Sequence, residues 1–346
     1  MKKLSEISWN VTEEEYRKDS SLSYSILTRY ERGGFNELKH LFDKIETPSL
    51  TFGSGVDSII TGGMKEFNDK FVVADYNKLS DSIIEIVKDL FNNFNSEYDD
   101  LLKIPANIIA EYGKNHNFYA NDKYENYRIK LIREGKEYYD LLFLSKDKML
   151  IDSSTYDSII KTASCLKDSD TTRFYFQENN PFDNIERYYQ LKFKSTFEGI
   201  NYRCMADELI VLHDEKLVIP IDLKTSHHSE WDFYKSFKDW SYSTQARLYW
   251  RIIRDNMNKD SYFKDFKLDN YKFIVINKDS LKPLVWECSD TTKSGLLIYG
   301  KNKQITFRDP FEIGAELNYY LNNDVELPMN INKGNPNNIE QWLNTL

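Results

Sequence analysis

The stretch "VIPIDLKTSHH" places Asp222 and Lys224 two residues apart inside an apolar run. On a strand, residues two apart point the same way. Leu217, Ile219, Ile221 and Leu223 then share one face, expected to be core. Val218, Pro220, Asp222 and Lys224 share the other, which turns polar at its end, where a site can open. Asp207 lies 15 positions before Asp222, across a turn at His213–Lys216. An antiparallel hairpin there can bring Asp207 back beside Asp222, although sequence does not set the pairing register. Two converging carboxylates repel each other and call for a cation. Oxygen donors without a His or Cys set suit Mg²⁺ or Mn²⁺ rather than zinc. A lysine ammonium next to them can orient a water or neutralise charge on a phosphate. A D-x-K at a strand end is more often a plain ion pair, so its context matters. In "YSTQARLYWRII", Gln245 and Tyr249 are four apart and share a helix face. Tyr242, Ala246, Tyr249 and Ile253 also form an apolar stripe there, so Tyr249 has a core reading as well.

The elements that must position these residues are legible as changes of period. Residues 188–197, 200–212 and 217–224 alternate and are separated by turn-like sequence, which predicts three antiparallel strands. A helix-rich stretch over 229–256 follows, then strands at 271–279 and 284–290 and a short helix within 338–346. Pro220 withholds a backbone donor, which predicts an edge or bulge at that point. Upstream, residues 20–45 read as a helix capped at Ser21 or Ser23 and stopped at Gly33-Gly34. A Gly-rich entry leads into a short helix at about 54–60. Residues 80–165 are mainly helical, with Ile83, Ile84, Ile86, Val87 and Leu90 at helical spacing. The order predicts an α/β (α+β) protein, a mixed central sheet flanked by helices. Residues 1–180 form a mainly helical region packed on a core of residues 181–346, together one globular unit.

Bulk properties exclude several classes. The 346 residues carry a net charge of −9, unlike a protein that coats nucleic acid through bulk charge. No apolar run approaches the roughly 18 residues of a membrane helix. The N-terminus lacks the apolar segment of a secretory signal, and a cytoplasmic protein is expected. Cys165, Cys204 and Cys288 are scattered, against a disulfide framework or a thiolate metal site.

The set Asp207…Asp222-Leu-Lys224-Thr225…Gln245-x-x-x-Tyr249 resembles the RecB-type branch of the PD-(D/E)XK nuclease superfamily. "FEGINYRCMADELIV" is similar to that branch's glycine turn, basic residue and Asp. "LSYSILTRYERGGF" and "LTFGSGVDSIITGGMKEF" resemble the opening of phage exonucleases of the exonuclease VIII type. The resemblance spans about residues 20–255. No single motif is specific; their order and spacing are.

The resemblance implies a restriction-endonuclease-like core and hydrolysis of DNA phosphodiesters with one or two Mg²⁺ (or Mn²⁺) ions. Asp57, Asp207, Asp222 and the backbone carbonyl of Leu223 would hold the metal, and Lys224 would be the catalytic lysine. Gln245 and Tyr249 would brace the site. Asp57 stands where those exonucleases carry a histidine, a departure that removes a group titrating near neutrality. Gln190 or Glu186 would join the site from the first strand. Arg203, Thr225 and Arg247 are candidate DNA contacts, with Arg29 and Arg32 behind them. Trp231, Phe233, Tyr234 and Trp240 offer stacking surfaces, though a Phe233–Phe237–Trp240 stripe reads first as core. The expected activity is an exonuclease acting on double-stranded DNA with free ends, of phage recombination or replication. A single-strand annealing protein and a homo-oligomer are the partners implied, and no membrane is. The alternatives are an endonuclease or repair-complex subunit, and an inactive nucleic-acid-binding protein of the same fold.

Overall fold

The computed structural model describes residues 1–43, 47–76, 79–145, 148–180, 182–288, 295–299 and 303–323. The helix expected within 338–346 lies outside them.

The chain opens with α1 (Glu13–Lys18), α2 (Tyr24–Gly33), α3 (Pro48–Thr61) and α4 (Gly63–Lys70). Strand β1 (Phe71–Val73) then leads into α5 (Asp81–Phe94), α6 (Ala106–Asn115), α7 (Glu125–Arg133) and α8 (Lys136–Ser145). These four pack around their own core of Ile86, Val87, Leu90, Ile109, Ile132 and Tyr139. The chain leaves this bundle through β2 (Met149–Ile151), which pairs in parallel with β1, and continues into α9 (Ser153–Asp168).

The main sheet follows. Strands β3 (Ile185–Phe197), β4 (Ile200–Leu212) and β5 (Leu217–Ser226) form an antiparallel meander. Helices α10 (Phe233–Asp239) and α11 (Tyr242–Lys259) carry the chain over one face. It returns as β6 (Lys267–Leu268) and β7 (Tyr271–Asn277), both parallel to β5, and β8 (Pro283–Cys288) lies antiparallel at the edge. The order is β3-β4-β5-β7-β8, a mixed sheet. A β9 (Leu296–Tyr299) and β10 (Lys303–Thr306) pair and α12 (Pro310–Asn322) complete the described chain.

Both faces of the sheet are covered. Val218, Phe273 and Val275 meet Ala246, Leu248 and Ile252 of α11 on one side. Ile210, Ile219, Ile221 and Ile274 meet Val56, Ile59 and Ile159 of α3 and α9 on the other. This explains the near-continuous apolar run in β5, since a strand buried on both faces loses simple alternation. Cys204 and Cys288 are buried free thiols and Cys165 is partly exposed.

Two details depart from the sequence reading. The helix expected at 54–60 begins at Pro48, with the Thr47 hydroxyl accepting the Leu50 N–H. Gly53 and Gly55 therefore lie inside α3 and permit close packing: a Cβ on Gly55 would stand 2.5 Å from Ile159 Cδ1. Pro220 sits in a central strand, opposite Leu209 of β4. On the other side of β5, β6 pairs with Leu217 and Val218, and β7 begins only at Ile221. The proline's missing donor falls into that gap between two partner strands.

Candidate functional site

The β4–β5 ladder ends at Glu208 and Ile221. One step further in the same register, Asp207 and Asp222 would face each other, but no rung forms. Beyond that point β5 pairs only with β7, and residue Leu22 takes the vacated edge of β4. The Leu22 N–H donates to Asn201 O and the Arg203 N–H donates to Leu22 O, each at 2.9 Å. The two strands thus fork at Asp207 and Asp222.

The β3–β4 ladder is interrupted in the same row. Tyr189 pairs with Glu208 and Leu191 with Ala206, while Gln190 and Asp207 between them are unpaired. Gln190 has φ 53°, a left-handed conformation unfavourable for a side chain bearing a Cβ. Side-chain alternation inverts across this row. Leu191, Phe193, Cys204 and Ala206 face the α11 core, and beyond the break Tyr188, Leu209 and Val211 do. A strained residue at a break in two ladders is a recurrent mark of functional positions.

Three carboxylates surround the fork, each with a protein partner. Asp222 is buried on the α11 face. Its Oδ1 accepts from Gln245 Nε2 at 2.5 Å. Its Oδ2 lies 2.5 Å from Lys224 Nζ as an ion pair, without hydrogen-bond geometry to any group. Asp207 Oδ2 accepts the Leu223 N–H at 2.8 Å, closing the open edge of β5. Asp57, on α3, accepts from Gln190 Nε2 at 2.6 Å. Asp57 and Asp207 line one small pocket with Thr61, Tyr189, Ile221 and Leu223.

The electrostatics show the strain of this gathering. Burial, then the carboxylates of Asp222 and Asp57, push Asp207 well above the usual range, against Lys224 and the Leu223 N–H. Burial also lifts Asp57 to about 6, opposed by Lys70 and Gln190 and aided by Glu66 and Asp222. For Lys224, burial works against the charge, but Asp222, Tyr242, Asp207 and Tyr24 outweigh it. Its pKa stands above the ordinary lysine value, so Lys224 is a fixed ammonium rather than a base. Its Nζ lies 4.9 Å from the centroid of the Tyr242 ring and 6.0 Å from that of Phe273.

The remaining expected residues separate into those near the fork and those spent elsewhere. Thr225 lies on β5 beside α3, its Oγ1 3.3 Å from where a Cβ on Gly53 would stand. Tyr249 is buried in the α11 core and packs edge-on to Tyr271, so the core reading describes its ring. Of the two first-strand candidates, Gln190 reaches the site. Glu186 does not: it accepts from the Tyr188 hydroxyl and meets His213 Nε2 at 3.1 Å, away from Asp57. Arg203 and Arg247 are not presented to a ligand. Arg203 is buried, donates to Tyr16 O and Asp19 O, and stacks on Tyr16. Arg247 is buried and donates to Phe307 O, Arg308 O and Asp309. Arg203 anchors the N-terminal segment onto β4, and Arg247 anchors residues 307–309 onto α11. The His227 and His228 rings lie 4.0 Å apart, and among the described residues they join no group of three His, Cys, Asp or Glu side chains.

Tyr24 and Tyr242 were not expected at the site. Tyr242 is three residues before Gln245, on the same helix face, so its position was readable from spacing. Tyr24 lies within the stretch "LSYSILTRYERGGF", but its approach to the site comes through the Leu22 bridge, which no local period sets.

A hard divalent cation fits the chemistry of this donor set, which is all oxygen and mutually repelling. Among the described residues, however, no three His, Cys, Asp or Glu side chains are gathered as ligands. The hydrogen bonds from Gln190 and from the Leu223 N–H each engage Oδ2, of Asp57 and Asp207 respectively.

No protein-family model matches the chain, and no curated protein matches it. Among solved structures it is similar to a crystal structure from Eubacterium rectale, whose own assignment as an exonuclease is provisional. That similarity covers 90% of this chain and 84% of the other at 12% identity, with a TM-score of 0.41, too low to establish a common fold. No helix among the described residues is long and apolar enough to cross a membrane.

Proposed function

We propose that the chain hydrolyses phosphodiester bonds of DNA from its ends, with Mg²⁺ or Mn²⁺ as cofactor, in the manner of the RecB-type exonucleases it resembles. The observation that carries this reading is the fork itself. Asp207 and Asp222 stand at one register position on two diverging strands, with the Lys224 ammonium on Asp222. Asp57, Asp207, Asp222 and the Leu223 carbonyl would hold the ion. Bound there, it would polarise the scissile phosphate and lower the pKa of a water.

The protein's own contribution is positioning and charge. Gln245 fixes Asp222, and the Leu223 N–H fixes Asp207. Lys224, permanently charged and held between Asp222 and the Tyr242 ring, supplies a positive group against charge developing on a phosphate. Gln190 trades its favoured backbone conformation for a hold on Asp57.

The non-catalytic reading draws on one observation, the absence of three gathered ligands among the described residues. One assay separates the two. End-labelled linear duplex is incubated with Mg²⁺ or with EDTA, using wild type and Lys224→Ala. Cleavage by wild type in Mg²⁺ alone, lost in the variant while circular dichroism is unchanged, is expected. Equal results in Mg²⁺, Mn²⁺ and EDTA would leave a binding protein. Closed circular DNA should resist; its cleavage would mark an endonuclease.

A further inference from the structure

Helix α10 begins seven residues beyond Lys224's neighbour Ser226 and ends three before Tyr242. Its inward aromatics are core: Phe233 and Phe237 are 0% and 4% exposed. The two tryptophans that bracket it are not. Trp231 is 85% exposed and Trp240 is 46% exposed. An exposed indole thus flanks each end of a helix whose two phenylalanine rings are buried.

Position ties the pair to the fork. The Tyr24 hydroxyl donates to Trp240 O at 2.5 Å, and Tyr24 feels the charges of Lys224 and Asp222. Two residues past Trp240, the Tyr242 ring faces Lys224 Nζ. Trp240 therefore stands at the rim of the site. Its ring is backed by the exposed Arg32, whose guanidinium carbon lies 4.9 Å from the ring centroid. The lysines of α10 are committed locally, Lys235 to Asp232 at 2.9 Å and Lys238 to Asp239 at 3.4 Å. Arg32 has no carboxylate partner among the described ion pairs, which leaves it as the cation for a phosphate beside the indole.

We propose that Trp240 backed by Arg32, with Trp231 beyond it, forms a stacking platform for unpaired bases of the nucleic-acid strand that enters the site. This rests on the reading given under Proposed function and deepens it: a duplex end would fray across α10 before the strand reaches Lys224. Every base has a π face, so such a platform is tolerant of sequence. The seven helical residues between the indoles, at about 1.5 Å each, put the two ends of α10 roughly 10 Å apart. That exceeds one base step of about 3.4 Å, so the two engage different nucleotides.

The test uses the full chain in EDTA, a labelled oligothymidylate and a labelled blunt hairpin duplex, read by fluorescence anisotropy. Trp240→Ala should weaken oligothymidylate binding about tenfold, within the range of one lost stack. Trp240→Phe, which keeps a ring, should recover most of that loss. Trp231→Ala, a change to a side chain almost wholly in water, should weaken binding by a smaller factor without altering the thermal melt. Binding to the blunt duplex should change less than binding to the single strand. Wild-type affinity in both alanine variants overturns the platform and assigns the indoles to another partner, such as a protein. A wild type that cleaves duplex in Mg²⁺ yet ignores oligothymidylate overturns the platform alone. A wild type that neither binds nor cleaves overturns the hydrolase reading and the platform together.

Discussion

The two halves of the β4–β5 pair are built from the same strands and do opposite things. From Glu208 to Leu212, β4 is fully laddered to Leu217–Ile221, and Leu209, Ile210, Val211, Val218, Ile219 and Ile221 fill the two cores. One residue further the ladder stops, and the half that begins at Asp207 and Asp222 holds converging carboxylates, an ammonium and an incoming chain segment. The contrast is sharpest between adjacent acids. Asp207 accepts a backbone N–H in the fork, whereas Glu208 is buried with neither carboxylate oxygen hydrogen-bonded among the described residues. A regular ladder leaves no backbone donor free and no room between strands. Opening it is what lets side chains meet there.

Four experiments would break or sharpen that contrast. The largest effect is expected at the buried pair of the open half. Asp222→Asn strands the Lys224 ammonium and should cost about 3–5 kcal/mol of stability. The double variant Asp222→Asn/Lys224→Met should recover part of that loss. Chemical denaturation of the three proteins measures the coupling, and additive losses would show that the pair is not one unit.

In the laddered half, Ile210→Ala should cost about 2–5 kcal/mol by opening a cavity in the α3 side of the core. Any cleavage activity per folded molecule should stay unchanged at low temperature. A selective loss of turnover would mean that the two halves are not separable.

The third experiment concerns pH. Asp57 has its folded pKa raised to about 6 from an ordinary value of 3.8. The folded state thus holds this proton more tightly than the unfolded chain does. Stability from this group is full below pH 4, falls as pH rises towards 6, and is flat above. Asp57→Asn removes the penalty, so it should stabilise the metal-free protein at pH 8, by at most about 3 kcal/mol, and not at pH 4. If the hydrolase reading holds, cleavage should fall in the same variant. Glu208, raised by burial with Arg187 opposing, should respond in the same direction in stability when changed to Gln. Melting curves at the two pH values, with and without Mg²⁺, read both.

The smallest effect is expected at Arg203. Arg203→Gln should cost about 1–3 kcal/mol through lost hydrogen bonds to Tyr16 and Asp19. The salt dependence of DNA binding should be unaltered. A shallower slope of affinity against salt would show that the side chain contacts phosphate after all.

Much of this arrangement is carried by local signals. The meander was expected at 188–197, 200–212 and 217–224 and stands at 185–197, 200–212 and 217–226. Alternation and turn residues act over a few positions, so they survive any context. The glycines of "FGSGVDSII" misled for the same reason: locally they suggest a loop, but α3 uses Gly55 for contact with Ile159, which is distant in sequence. Arg203 and Arg247 misled because a charge in a half-apolar stretch reads alike whether it faces solvent or carbonyl groups from another segment.

By itself, then, the sequence determined which residues share a strand face or a helix face: Asp222 with Lys224, and Gln245 with Tyr242 and Tyr249. Those are consequences of two fixed periods, 2.0 and 3.6. Only the tertiary structure decided where the ladder opens and what enters the gap. It set the fork at Asp207 and Asp222, chose Gln190 over Glu186 through a left-handed backbone turn, and brought Leu22 and Tyr24 alongside. Each of these depends on contacts between segments far apart in the chain, and such contacts are settled by packing and backbone hydrogen bonding across the whole sheet rather than by any neighbourhood of residues.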